Sequence, residues 1–226
     1  MSDVELRVVD DVEAAGEAAA QLIAEAAKGG GHIGLSGGSG PRTAYERAAI
    51  LQPDWGRAEL WWIDERCVPP DDGRSNYRMI RESLLDGLAR PPAAVHRVRG
   101  EAPPEEAADE YDAALDGVTL ALALMGIGPD GHTASLFPNA PALDETERRA
   151  VAAEAGLEPF VPRVTLTRPA LAAAETMVYL ATGEGKADAV GRAFGQEPSP
   201  ATPASLVRGR RTIAILDRPA AERLAT

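Results

Sequence analysis

One cysteine, Cys67, and three histidines are all that 226 residues contain, and both shortages restrict the chemistry. A lone cysteine closes no intrachain disulfide and builds no multi-cysteine zinc site, which fits a reducing compartment. Histidines at 32, 96 and 132 lie too far apart in sequence to suggest a metal-ligand cluster, leaving only Asp and Glu as oxygen ligands. Basic charge is scarce too. Lys and Arg total 23 against 35 Asp and Glu, a formal charge of -12, so attraction to nucleic acid or an anionic membrane surface is not expected, and an anionic ligand needs a locally basic pocket. No uninterrupted apolar run approaches the ~20 residues of a membrane span, and the acidic start MSDVELRVVD does not read as a secretory leader. The expectation is a soluble cytoplasmic protein. At 226 residues the chain is long enough for one well-buried domain spanning 1–226. No segment stands out as an exposed apolar patch, so a monomer is expected.

What the chain does have is a glycine-rich turn carrying a histidine and an acid: Gly126 to Pro138, GIGPDGHTASLFP. It follows the short apolar run Thr119 to Met125, which reads as a strand buried on both faces of a parallel sheet. The turn therefore leaves the strand's carboxyl end, where ligands bind in open α/β sheets. His132 is the natural general base, its ordinary titration range lying near neutrality.

Short apolar runs alternate with helical patterns along the rest of the chain. Strands are predicted at Leu6 to Val9, His32 to Leu35, Leu60 to Ile63, Val95 to Val98, Thr119 to Met125, Val164 to Thr167, Met177 to Ala181 and Thr212 to Leu216. Between the first two, Val12, Ala15, Ala19, Leu22, Ile23 and Ala26 recur at helical spacing until Gly29 to Gly31 stop the helix. Further helices are predicted at Thr43 to Leu51, Asn76 to Leu88, Glu105 to Leu115, Pro169 to Ala174 and Lys186 to Phe194. The alternation implies an α/β fold, a single-domain open, mainly parallel sheet with helices on both faces. Pro-rich loops such as Gln196 to Pro203 are too short to be domain linkers.

A second glycine-rich segment, Gly34 to Pro41 (GLSGGSGP), follows a strand and precedes a helix expected to begin near Arg42 or Thr43. Ser36, Gly37, Gly38 and Ser39 offer inward N–H groups and hydroxyls beside a helix N-terminus, an arrangement that suits a phosphate. The segment lacks the lysine of a P-loop and the spacing of a dinucleotide fingerprint. Asp64, Glu65 and Arg66 end a strand abruptly and are expected at the same carboxyl edge. Arg66 could clamp a phosphate bidentately, although an isolated triplet of this kind reads as a solvated strand end with a surface ion pair. Trp61 and Trp62 read as packing on opposite sides of the strand. Ser75 or Asn76 reads as an N-cap. Arg163 opens a strand, and Lys186 sits in a helix's first turn, where a cation is mildly unfavourable and so invites another explanation. His32 and His96 read as structural or surface residues.

Taken together, SGGSGP at Ser36 to Pro41, DERCVPPDDGRSNY at Asp64 to Tyr77, GIGPDGHTASLFP at Gly126 to Pro138, RVTLT at Arg163 to Thr167, GEGK at Gly183 to Lys186 and PASLV at Pro203 to Val207 resemble the 6-phosphogluconolactonase family. That family lies within the glucosamine-6-phosphate deaminase/isomerase-like superfamily. The resemblance spans nearly the whole chain and implies hydrolysis of 6-phospho-D-glucono-1,5-lactone to 6-phosphogluconate in the oxidative pentose phosphate pathway. It implies no required metal or organic cofactor, a phosphosugar lactone as the only partner, and neither nucleic acid nor membrane. His132 then activates the attacking water, with Asp130 or Asp64 orienting the water or the imidazole. Arg66, Lys186 and Arg163 surround the phosphate with the Ser36 to Ser39 loop. Two positions depart from the family pattern: Gly40 stands where threonine is common, and the strand Thr212 to Leu216 lacks a frequent tryptophan.

The resemblance also names the rivals. Glucosamine-6-phosphate deaminases share a similar turn but continue with a glutamate where this chain has Phe137, so that reading loses its acid. A non-catalytic sugar-phosphate sensor is the other alternative. Such a regulator needs a DNA-binding module, and the sequence offers no spare helix-turn-helix before its first strand.

Overall fold

The computed structural model describes residues 4–224. In chain order the elements are β1 (Val4–Val9), α1 (Val12–Gly29), β2 (Gly31–Leu35), α2 (Ser39–Leu51), β3 (Ala58–Trp62), β4 (Asp64–Arg66), α3 (Asn76–Ser83), β5 (Ala94–His96) and α4 (Pro104–Ala114). There follow β6 (Leu120–Met125), β7 (Ala150–Ala153), β8 (Arg163–Leu166), α5 (Arg168–Ala172), β9 (Thr176–Ala181), α6 (Ala187–Gly195), α7 (Pro203–Leu206), β10 (Arg211–Asp217) and α8 (Arg218–Ala221).

Seven strands form one sheet in the order β1-β10-β9-β6-β2-β3-β5, every pairing parallel. Its central strands are apolar because helices cover both faces: Leu122, Ala123, Leu124 and Met125 on β6 are all buried. Alanine sets the helix packing. α1 turns Ala15, Ala19, Ala20 and Ala27 inward with Ile23, and these short side chains let α1 lie close against α2 and the sheet. Asp11 caps it, accepting from Ala14 N at 2.8 Å. β1 and β10 pair at one edge, so the first and last strands close a single unit. Among the described residues no helix is long and apolar enough to cross a membrane.

After β2 the chain moves to β3 on one side, and β6 then returns on the other. The strand order reverses at this point, and the loops leaving the carboxyl ends of β2 and β6 frame a crevice there.

Four expectations need correction. The Val164 to Thr167 run does not join the main sheet: β8 forms a separate antiparallel sheet, β4-β8-β7. Asp64, Glu65 and Arg66 are not a frayed strand end. They are β4 itself, with Asp64 and Glu65 buried because β8 covers them. α2 begins at Ser39, not near Arg42 or Thr43: Gly38 supplies the positive φ of 117° at the cap, and Pro41 is tolerated within the first turn, where its missing N–H has no intrahelical partner to lose. The predicted Asn76 to Leu88 helix also stops early, at Ser83, followed by a 3-10 turn at Leu85–Gly87. Trp61 and Trp62 pack on opposite sides as expected, Trp61 stacked on His96 and Trp62 beside Tyr77. His32 accepts from Trp61 Nε1 at 3.0 Å and His96 lies 2.8 Å from Glu59, both distant in role from the crevice.

Candidate active site

The crevice is a cavity of about 300 Å³, at the lower end of the range for small-ligand sites. Four loops and the second sheet line it, and they bring together Ser36, Gly37, Gly38, Ser39, Asp64, Arg66, His132, Arg163 and Lys186. Of the predicted site residues only Asp130 stays off the cavity wall. It stands behind His132.

The turn after β6 is wound tightly by its own bonds. Gly128 N donates to the His132 carbonyl at 2.8 Å and Gly131 N to the Gly128 carbonyl at 2.9 Å. A Cβ on Gly128 would lie 2.0 Å from His132 Nδ1, so only glycine lets the ring fold back over the backbone. There Nδ1 meets Asp130 Oδ1 at 2.6 Å, and the same oxygen accepts from His132 N at 3.1 Å. Burial opposes the Asp130 charge, but the bond and attraction to His132 outweigh it and hold the carboxyl below its ordinary range. An ionised carboxylate can only accept, so in the neutral ring Nδ1 carries the proton and Nε2 the lone pair. The Phe137 ring packs 4.7 Å from the imidazole, centroid to centroid.

Asp64 is held differently. Its Oδ2 accepts from Ser135 Oγ at 2.6 Å, and Asn76 Nδ2 donates to its Oδ1 at 3.3 Å and its carbonyl at 2.9 Å. Beneath it, buried Glu65 accepts from the backbone N–H of Arg66, Asn76 and Tyr77, each at 2.7 Å, and from Ser75 Oγ at 3.1 Å. Burial pushes the Glu65 carboxyl up, against the pull of those donors. Glu65 thereby fastens β4 to the start of α3, where Ser75 is the N-cap. Asn76 presses against Gly37, where a Cβ would lie 2.0 Å from its Oδ1. Asn76 and Ser135 thus belong to the site, and reading the sequence missed both. An asparagine at a helix start reads as a cap, and a serine three residues past a histidine carries no signal until β4 is brought beside the turn.

The positive side of the cavity is unneutralised. None of the ion pairs among the described residues involves Arg66, Arg163 or Lys186. Arg66 donates one nitrogen to the Arg74 carbonyl at 2.6 Å, while its Nε is buried without a partner. Arg163 spends Nε on the Val161 carbonyl at 3.1 Å and another nitrogen on that of Pro159 at 2.9 Å. Burial, then the charge of Arg66, lower its pKa. Burial likewise lowers that of Lys186, with Asp130 partly offsetting it. The Ser36 hydroxyl is buried and unpartnered, and α2 starts after Gly38 with no side-chain cap. Three cations, a free hydroxyl and an open helix N-terminus converge, which is what a dianion needs and an empty acidic protein does not. Among the described residues no group of three or more His, Cys, Asp or Glu is placed to hold a metal ion.

Comparison with known proteins adds names to this geometry. The family model described as glucosamine-6-phosphate isomerases/6-phosphogluconolactonase matches residues 9–215. A 6-phosphogluconolactonase of Streptomyces coelicolor is 36% identical, the match covering 99% of this chain and 96% of the relative. A 6-phosphogluconolactonase of Homo sapiens is 38% identical over 85% of this chain and 82% of its own. The solved structure of 6-phosphogluconolactonase from Trypanosoma brucei superposes with a TM-score of 0.88 at 27% identity, over 99% of each chain.

Proposed function

The chain belongs to the glucosamine-6-phosphate isomerase/6-phosphogluconolactonase family, and we propose that it hydrolyses 6-phospho-D-glucono-1,5-lactone to 6-phosphogluconate, a step of the pentose phosphate pathway. The observation that carries the reading is the His132–Asp130 pair at 2.6 Å beside a cavity that His132 lines together with Arg66, Arg163 and Lys186, three cations that form no ion pair. One region fits a reacting carbonyl and the other a phosphate.

In the proposed reaction His132 Nε2 takes a proton from water as its oxygen bonds to the lactone carbonyl carbon. The tetrahedral intermediate then expels the ring oxygen, which receives that proton from the imidazolium, and the new carboxylic acid releases its own to solvent. Asp130 keeps Nδ1 protonated and steadies the positive ring, a role the geometry favours over direct contact with water. In this reading Asp64, on the cavity wall, orients the water. A positioned base contributes about 10²–10⁴-fold. Arg66, Lys186, Arg163 and the Ser36 to Ser39 segment supply the orientation by holding the phosphate.

Phe137, buried beside the imidazole, offers no carboxylate at the position where the deaminase reading needs one. The proposal extends to one domain over 1–226, supported by the pairing of β1 with β10 in the main sheet, acting as a cytoplasmic monomer. The test is hydrolysis of freshly made lactone, coupled to 6-phosphogluconate dehydrogenase with the spontaneous rate subtracted, and amine release from glucosamine 6-phosphate measured alongside. Acceleration of the first alone supports the reading. Acceleration of the second alone would replace it with the deaminase, and binding without turnover with the sensor.

A further inference from the structure

The catalytic turn is not held by its own bonds alone. Ala204 N donates to the Gly131 carbonyl at 3.0 Å, and Asn139 N to that of Pro200 at 3.0 Å. Thr202 lies so close to Gly131 that a Cβ there would be 2.9 Å from its methyl carbon. The bracing segment is itself a closed turn: Ser205 Oγ accepts from Ser199 N at 2.8 Å and donates to the Thr202 carbonyl at 2.7 Å. One side chain grips both pieces. Arg192, on α6, donates Nε to Thr202 Oγ1 at 3.2 Å and a terminal nitrogen to the Pro129 carbonyl at 3.3 Å.

We infer that Arg192 is a positioning residue for His132, acting through the Pro129 carbonyl and Asp130. The proline ring already locks φ at Pro129, so ψ is the remaining soft torsion before Asp130. The carbonyl oxygen turns with that torsion, and the Arg192 bond pins it. Asp130 must reach both His132 N and Nδ1 from the peptide so fixed, and a small rotation lengthens the 2.6 Å bond that sets the imidazole. α6 starts directly after Lys186, so one helix carries a phosphate cation at its head and, about two turns later, the pin of the base. The other charged groups lining the cavity, Asp64, Arg66, Glu158, Arg163 and Lys186, are untouched by changes at Arg192.

The inference rests on the proposed lactone hydrolysis for its kinetic readout, and a second readout does not need it. With only three histidines, the Nδ1–H proton of His132 can be followed by NMR with His32 and His96 as internal references. Arg192→Ala should lower kcat about 5- to 10-fold with KM within about twofold of native, and should shift that resonance upfield as the Asp130 bond weakens. Arg192→Lys, which can still reach one acceptor, should recover part of both. Thr202→Val, which keeps the shape and removes the Oγ1 acceptor, should give a smaller loss in the same direction and covers the case in which Arg192→Ala does not fold. A folded Arg192→Ala protein with native kcat and an unmoved resonance would overturn the inference. Failure of the native chain to hydrolyse lactone would instead overturn the functional reading, leaving the resonance as the test of the pin.

Discussion

The turn after β6 and the cationic wall of the same cavity are built on opposite principles. The turn is contiguous: Gly126 to Pro138 bonds to itself, orients its own imidazole, and leaves few of its polar groups without partners. The wall is assembled from segments far apart in sequence, after β2, on β4, on β8 and before α6, and it keeps charges and a hydroxyl unpartnered. Preorganisation is what a proton-transfer group needs, since its geometry has to be correct before the substrate arrives. An anion site keeps its donors free, and the cost of burying them is recovered only when the phosphate binds. The lowered pKa values of Lys186 and Arg163 are the visible mark of that cost.

Substitutions should separate the two regions. Asp130→Asn keeps the size of the side chain but can offer Nδ1 an amide N–H, favouring the wrong tautomer; kcat should fall at least about 10²-fold with KM nearly unchanged, by steady-state kinetics. Arg66→Ala removes a charge-assisted donor, so KM should rise about 10- to 100-fold while kcat changes far less. An equal loss in kcat would place Arg66 in the chemistry and blur the comparison.

A pH test addresses the wall alone. Because burial lowers the pKa of Lys186 below its ordinary 10.5, its charge is complete only at lower pH and is lost as pH rises through the depressed value. Affinity for 6-phosphogluconate, measured by calorimetry, should therefore weaken on the alkaline side before a free lysine would titrate. Lys186→Arg should move that weakening to higher pH. Affinity that stays flat up to the ordinary lysine range would contradict the assignment. The smallest effect is expected at Gly40, where a Cβ would meet only ordinary contacts, 3.8 Å from Leu180. Gly40→Thr should fit, lower KM by about twofold or less, and leave kcat alone.

This contrast also explains what could be read from the chain. The seven strands of the main sheet follow from apolar runs, each found to within a few residues, and the signal is strongest in central strands such as β6 and β9, which are buried on both faces. His132, Asp130 and the serine-glycine loop were legible since each motif is short and continuous. The second sheet was legible only at β8. β4 is three residues of charge and β7 is Ala150–Ala153, so neither shows periodicity, and only pairing with β8 makes them strands. The burial of Asp64 and Glu65 depends on that pairing, as do the parts played by Asn76 and Ser135. Sequence reading left open which acid serves His132; the fold brings Asp130 to Nδ1 and gives Asp64 to Ser135 and Asn76.

The division of labour is tested most directly by measuring kcat and KM for His132→Ala and Lys186→Ala in one coupled lactone assay, with the spontaneous rate subtracted. His132→Ala should lose about 10²–10⁴-fold in kcat and keep its KM, and Lys186→Ala should keep most of its kcat and lose affinity. Native turnover by His132→Ala, or loss of the same parameter in both variants, would contradict the account.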